Sequence, residues 1–287
     1  MFKEKVRRTA SFAILAILLL GTLIFAGCGT DENSGQADAN PNAALSGTIN
    51  IAGSTSVQPF SEVLAEEFMK LHKDVQINVQ GGGSSQGVTA VVSGVADIGA
   101  ASRELKEEEI AEGVAPIKMA IDGIAIVVHP DNSIGDLSAD QVKSIYTGNV
   151  TNWKEVGGAD ATITVVTREE SSGTRDAFLD IIMAKEEITS SAIVQNSTGA
   201  VRTTVSGDPN AIGYISLASL NEEVKALDID SVAASVENIK NGSYLLQRPF
   251  HYITTDKTSD LAQAFIDFTL SDEGQRIVEE EGAFSVN

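Results

Sequence analysis

Three times in this chain a strand-like run ends in a cluster of Gly, Ser and Thr, and a helical pattern begins at once. The clusters are Gly53-Ser54-Thr55-Ser56, Gly81-Gly82-Gly83-Ser84-Ser85 and Ser171-Ser172-Gly173-Thr174. Strands joined by helices lie parallel, so the repeated β-then-α order predicts an α/β fold with mainly parallel sheets and flanking helices. A helix start also exposes unpaired N–H groups and the positive end of a dipole. Small residues there let an anion come close, and hydroxyls add donors. One such junction is a common cap and turn. Three of them, with Arg168 just ahead of the third, predict a pocket for a small oxyanion, to which Arg168 can give a bidentate, charge-assisted pair.

The runs between the clusters fill in the elements. Thr48-Ile49-Asn50-Ile51-Ala52 and Val75-Gln76-Ile77-Asn78-Val79 alternate as half-buried strands do. Phe60, Leu64, Phe68 and Leu71 recur at helical spacing, and Thr55 with Gln58 predicts a capping box before them. Val88, Val91, Val92 and Val95 mark a second helix. Asp97 to Ala101 reads as a short buried strand, and Ser102 is expected to cap a helix over 104–112. Gly123 to His129 is an apolar strand ended by Pro130. Ser138 and Gln141 cap a helix through Val142, Ile145 and Tyr146. Strands follow at 162–167, 211–215 and 244–254, and Leu261, Phe265, Phe268 and Leu270 mark a closing helix.

The first residues are an address rather than fold. Lys3, Lys5, Arg7 and Arg8 precede an uncharged apolar stretch from Phe12 to Phe25, and Phe25-Ala26-Gly27-Cys28 closes it. This is the pattern of a secretory signal over 1–27. Its end resembles a lipobox, with Phe25 where Leu is usual, and so predicts lipid attachment (palmitate) at Cys28. The alternative, an uncleaved anchor, has too short an apolar stretch for a membrane span. Cys28 is the only cysteine, which fits an acylated anchor better than a reactive thiol. Residues 28–46 hold little to bury and read as a flexible tether.

The chain carries a formal charge of -20. That argues against nucleic acid as a partner, since phosphate backbones need basic surfaces. An anionic ligand is repelled by the far field, but salt screens that field beyond about 8 Å. Capture must then come from short-range hydrogen bonds.

Other chemistries find little support. Gly83-Ser84-Ser85-Gln86-Gly87 matches the Gly-x-Ser-x-Gly of hydrolases, which makes a secreted serine phosphatase or esterase using Ser85 the alternative of another class. It lacks a base: His72, His129 and His251 each read as surface or packing residues. A Walker-type loop fails because Val88 stands where Lys is required. No metal-ligand cluster is visible and no cofactor is expected. The runs Glu107-Glu108-Glu109 and Glu279-Glu280-Glu281 read as solvated helix faces. Trp153 reads as a packing residue under a turn.

Taken in order, these motifs resemble the substrate-binding lipoproteins of bacterial ABC-type phosphate importers. The likeness is carried by residues 53–59, 81–85 and 96–103, by Ile145-Tyr146-Thr147-Gly148 and Thr151-Asn152-Trp153, by 167–175, and by Ala211-Ile212-Gly213-Tyr214. It implies a two-lobed, periplasmic-binding-protein-like (type II) fold with the ligand in the cleft. Lobe one would span 47–122 plus 247–287 and lobe two 123–246, with hinge segments near 121–126 and 246–251. It implies a non-enzymatic, monomeric receptor, lipid-anchored outside the cytoplasmic membrane, that passes inorganic phosphate to ABC permease subunits. The ligand residues would be Thr55, Ser56, Ser84, Ser102, Arg168, Ser172, Gly173 and Thr174. Some members place a carboxylate after the Asp97-Ile98-Gly99 segment to accept the ligand's proton. Here the stretch is Ser102-Arg103, leaving Asp97, Glu170 and Asp176 as nearby acceptors and sulfate or molybdate as an alternative ligand.

Overall fold

The computed structural model describes residues 45–286. The expected signal segment 1–27, Cys28 and the tether up to residue 44 lie outside the described residues. The strands are β1 (Ser46–Gly53), β2 (Asp74–Gly81), β3 (Ile98–Ala101), β4 (Ala115–Val128), β5 (Asp136–Leu137), β6 (Thr164–Arg168), β7 (Ile193–Gln195), β8 (Ala211–Ser216), β9 (Lys225–Ala226), β10 (Asp228–Ile229) and β11 (Gln247–Thr254). The helices are α1 (Gln58–Leu71), α2 (Ser84–Val92), α3 (Glu107–Ala111), α4 (Ala139–Tyr146), α5 (Gly173–Ile181), α6 (Thr198–Ser206), α7 (Val236–Lys240), α8 (Asp260–Leu270) and α9 (Asp272–Glu280).

Strands run in the order β2-β1-β3-β11-β4-β8-β6-β7, with β9 also on β4. Both flanks are parallel: β1 pairs with β2 and β3, and β6 pairs with β7 and β8. The centre is antiparallel. The long β4 pairs with β11 from Ala115 to Gly123, then with β8 from Ile124 to Val128. One strand thus changes partner between adjacent residues.

The apolar residues sort by the same division. Ile49, Ile51, Phe60, Leu64, Phe68, Phe250 and Phe265 join one buried cluster. Ile124, Ile126, Tyr146, Trp153, Phe178, Tyr214 and Leu246 join another. On β4 the even residues Ile124, Ile126 and Val128 face that second cluster, while Ala125 and Val127 face a third with Val166, Val201 and Ile215. A strand covered on both faces has to be apolar throughout, and this is why 123–128 shows no alternation. Each fully buried aliphatic side chain there contributes roughly 1.5–3 kcal/mol.

Most expected elements are present, with local corrections. The Thr55/Gln58 capping box does not form. The chain turns over 54–57 first, Val57 is the N-cap, and Ser54 Oγ accepts from the Ser56 and Val57 amides at 3.2 and 3.4 Å. Gln58 bonds Glu62 instead. Ser102 does not cap α3, which starts later, with Lys106 at its N-cap. The expected Ser138/Gln141 cap of α4 is formed from both sides, at 3.1 and 2.8 Å. The spacing of Leu261, Phe265, Phe268 and Leu270 predicts one closing helix, and a second, α9, follows it after Ser271. Trp153 is buried as expected, its indole N–H donating to the Asn210 carbonyl at 3.0 Å.

Candidate functional site

All the singled-out hydroxyls lie just beyond the carboxyl ends of parallel strands, where open α/β sheets place ligands. Thr55 and Ser56 follow β1, Ser84 follows β2, Ser102 follows β3, and Arg168 ends β6 ahead of Ser172, Gly173 and Thr174. Ser54, not Thr55, satisfies the turn amides, which frees the next two hydroxyls to point elsewhere.

They point at one another. Ser56 Oγ lies 3.0 Å from Thr174 Oγ1. Ser84 Oγ accepts from the Ser102 amide at 3.1 Å and sits 3.5 Å from Ser102 Oγ. Gly173 closes the gap between the two sides: a Cβ there would stand 2.2 Å from Ser84 Oγ and 2.8 Å from Ser102 Oγ. The approach continues in the backbone, where the Ser85 amide donates to the Ser171 carbonyl at 3.2 Å and Ser171 Oγ donates to the Gly82 carbonyl at 3.2 Å. Gly83 makes the turn at φ +104°, and a side chain there would meet the Ser171 carbonyl at 2.8 Å. Ser172 caps α5 by accepting from the Arg175 amide, so its hydroxyl hydrogen remains to donate outward. Ser56, Ser84, Ser102, Arg168, Ser172 and Thr174 are all buried, and Thr55 is half-buried.

Arg168 is held rigidly. Its Nε and Nη2 donate to the two Glu169 carboxylate oxygens, both at 2.8 Å. Its amide donates to Tyr214 Oη at 3.1 Å, and that phenol meets Thr167 Oγ1 at 2.7 Å. Burial pushes the Tyr214 hydroxyl up to about 12, so it stays neutral and locks the end of β6. Nη1 is left to face the hydroxyls.

Two further ion pairs surround the cluster, and the sequence patterns did not announce either. Arg248 on β11 donates to Asp122 on β4 through Nη2 at 2.9 Å and Nε at 3.2 Å, while Nη1 holds the Ser102 carbonyl at 3.2 Å. Ser216 Oγ donates to the other Asp122 oxygen at 2.9 Å. Burial pushes the Asp122 carboxyl up, against the pull of Arg248 and Ser216. Arg103 donates to Glu109 at 2.8 and 2.7 Å and to Ser85 Oγ at 3.0 Å. Its Nε lies 2.8 Å from Asp176 Oδ2, an ion-pair contact rather than an aligned hydrogen bond. Glu109 is therefore not part of a solvated run. Burial pushes its carboxyl up, but Arg103 and the Lys106 amide outweigh this and hold it below the usual range.

None of the carboxylates considered as acceptors stands free in the cluster. Asp97 accepts from the Asn50 amide at 2.7 Å, Glu170 is exposed, and Asp176 faces Arg103. Ser85, the nucleophile of the hydrolase alternative, meets Arg103 rather than a histidine. His251 Nδ1 contacts the Arg103 carbonyl at 3.1 Å, His129 Nδ1 accepts from the Asp131 amide, and His72 packs on Phe68. Among the described residues, no group of His, Cys, Asp and Glu is arranged to hold a metal.

The structure adds one residue to the cluster that the sequence patterns missed. Thr198 opens α6 after β7, in the run Gln195-Asn196-Ser197-Thr198-Gly199. Its Oγ1 lies 2.9 Å from Ser56 Oγ and 3.3 Å from Arg168 Nη1. This is a fourth junction of the same composition. It went unread because β7 has three residues, two of them exposed apolar ones, so no alternating run leads into it.

A PBP superfamily domain model matches residues 38–273. The phosphate-binding protein PstS of Bacillus subtilis is 34% identical over 280 residues, covering 95% of this chain and 93% of that protein. The chain belongs to the PstS family of phosphate-binding proteins. A crystal structure of a phosphate ABC transporter substrate-binding protein from Clostridium perfringens, with bound phosphate, is 44% identical. It superposes with a TM-score of 0.82, over 84% of this chain and all 100% of that one. An ABC-type phosphate transport receptor from Vibrio cholerae is 37% identical with a TM-score of 0.69, over 82% and 99%. PstS membership agrees with the expected fold class, an α/β periplasmic-binding-protein-like chain with mainly parallel sheets and flanking helices.

Proposed function

We propose that this protein is a receptor that binds inorganic phosphate outside the cell and delivers it to an ABC-type importer. The observation that carries the reading is the meeting of hydroxyls from the β1–α1, β2–α2 and β6–α5 junctions in one buried cluster, to which Arg168 is joined through Thr198. Such a cluster offers many donors and only one unshared cationic edge, which suits a tetrahedral oxyanion. The ligand residues in this reading are Thr55, Ser56, Ser84, Ser102, Arg168, Ser172, Gly173 and Thr174. The PstS relatives and the phosphate-bound C. perfringens structure support the choice of phosphate.

In this reading the protein works as two lobes, 47–122 with 247–287 and 123–246, that close over the ligand. The division of the apolar clusters and the partner change of β4 support those bounds. Closure removes water and strengthens each polar contact, and phosphate shifts the open–closed balance by its preference for the closed form. The protein acts without catalysis, as a monomer. It is anchored by lipid on Cys28 at the outer face of the cytoplasmic membrane, after removal of residues 1–27. Among the described residues no helix is long and apolar enough to cross a membrane. Mass spectrometry of the membrane-extracted protein, expected to show an acylated Cys28 at the N-terminus, tests the anchor.

Ser102, in the stretch where some relatives place a carboxylate, favours a second reading with another oxyanion. Parallel calorimetric titration with phosphate, sulfate and molybdate separates the two. Phosphate is expected to bind most tightly, and sulfate binding more tightly at pH 7 would overturn the assignment.

A further inference from the structure

We infer that Thr198 is a further oxyanion-binding residue, brought to the site by the β7–α6 junction; the inference rests on the receptor reading above. Thr198 is 2% exposed. Its Oγ1 lies 2.9 Å from Ser56 Oγ, 3.4 Å from Thr55 Oγ1 and 3.3 Å from Arg168 Nη1. Its amide donates to Thr55 Oγ1 at 3.2 Å. Ser56 Oγ continues to Thr174 Oγ1 at 3.0 Å. Thr198 therefore stands between the arginine edge and three hydroxyls from two other junctions. An anion oxygen held by Arg168 Nη1 and Ser56 is within its reach.

The hydrogen count shows what this arrangement supplies. A guanidinium and a backbone N–H can only donate, so Arg168 occupies a lone pair on Thr198, and the Thr198 N–H occupies one on Thr55. Thr55, Thr198, Ser56 and Thr174 form a chain of four hydroxyls joined by three contacts. Each contact uses one hydrogen, so at least one O–H is always left to donate out of the chain. Every hydroxyl oxygen also has two lone pairs, and not all are taken by these contacts, so the chain can accept a hydrogen bond from a protonated ligand as well. The neighbouring carboxylates Glu169, Asp122, Glu109 and Asp176 are each engaged by an arginine. The hydroxyl chain with Thr198 at its centre is thus the part of the site fitted to a tetrahedral oxyanion with or without a proton.

The test is calorimetry of phosphate binding to the wild type and to Thr198→Ser, Thr198→Ala and Thr198→Val, with thermal melts in the absence of phosphate. The Ala and Val variants are expected to bind phosphate roughly tenfold more weakly or worse, and Ser within about threefold of wild type. All should melt cooperatively. A wild type that binds phosphate beside Ala and Val variants that bind it equally well overturns the role of Thr198 alone. A wild type that takes up no phosphate overturns the receptor reading and this inference with it. Should Val disturb the melt, the Ser and Ala variants decide: affinity kept by Ser and lost by Ala assigns the effect to the hydroxyl, and equal loss in both overturns it.

Discussion

The hydroxyl cluster and the ion pairs beside it treat charge in opposite ways. Around Arg248 and Arg103 every charge is matched at short range by Asp122, Glu109 or Asp176. Within the cluster the donors are neutral, and the one cation, Arg168, already shares most of its fork with Glu169. Pairs of the first kind are costly to leave half-made, because an uncompensated buried charge has no water to turn to. Neutral hydroxyls are not, since each can rotate to a new partner. The ion pairs therefore hold strands in place, and the hydroxyls are left to respond to a ligand.

Breaking the first kind should show the largest effect. Asp122→Ala strands Arg248 in the centre of the sheet and is expected to cost about 3–5 kcal/mol in urea unfolding. Replacing Asp122 and Arg248 together with apolar residues should restore most of it; no recovery would mean the strands, not the charges, were at fault. Arg168→Ala comes next and tests the cluster. Phosphate affinity should fall roughly a hundredfold, the worth of a hydrogen bond from a charged group at its upper range, while the melt stays cooperative at a temperature lowered by the loss of the Glu169 pair. Unchanged affinity would remove Arg168 from the site.

Smaller effects sharpen the contrast. Gly173→Ala places a methyl 2.2 Å from Ser84 Oγ, so the two sides must separate, at about 1–3 kcal/mol. Phosphate-induced stabilisation in a thermal melt should shrink accordingly, and an undiminished shift would deny that the approach matters. Thr174→Ala removes one neutral hydroxyl, so calorimetry should show only about a fivefold weakening. The least effect is in pH. Burial holds the His251 imidazole below its ordinary 6.5. As pH falls the unfolded chain takes up that proton first, so His251 favours folding fully above about 6.5, and this is lost as pH falls through the lowered value. The slope is at most about 1.4 kcal/mol per pH unit. His251→Gln should flatten it in melts between pH 7 and pH 5; an identical slope would exclude the imidazole as its source.

Much of the molecule was legible beforehand because its signals are local. Alternation marked β1 and β2, helical spacing marked α1, and the Gly/Ser/Thr clusters marked where strands end. Ser138 with Gln141 fixed the start of α4. Where local patterns mislead, a contact they do not encode or an element too short to show has decided. Ser54 displaced Thr55 from the capping role, Arg103 drew Glu109 out of a solvent-facing run, and β7 was too short to announce the junction that carries Thr198. No local pattern near Asp122 or Arg248 points from one to the other across 126 positions; only the family resemblance names their two segments together, as the hinge.

By itself the sequence determined that strands would be followed at once by helices, and that each junction would be small, polar and able to donate. Those properties need only neighbouring residues, since pleat, turn and cap are set within a few positions. Which junctions meet, and that Thr198 stands beside Ser56 and Arg168, was decided by the tertiary structure alone. The sheet order and the partner change along β4 bring those segments together, and both depend on burying apolar faces far apart in the chain.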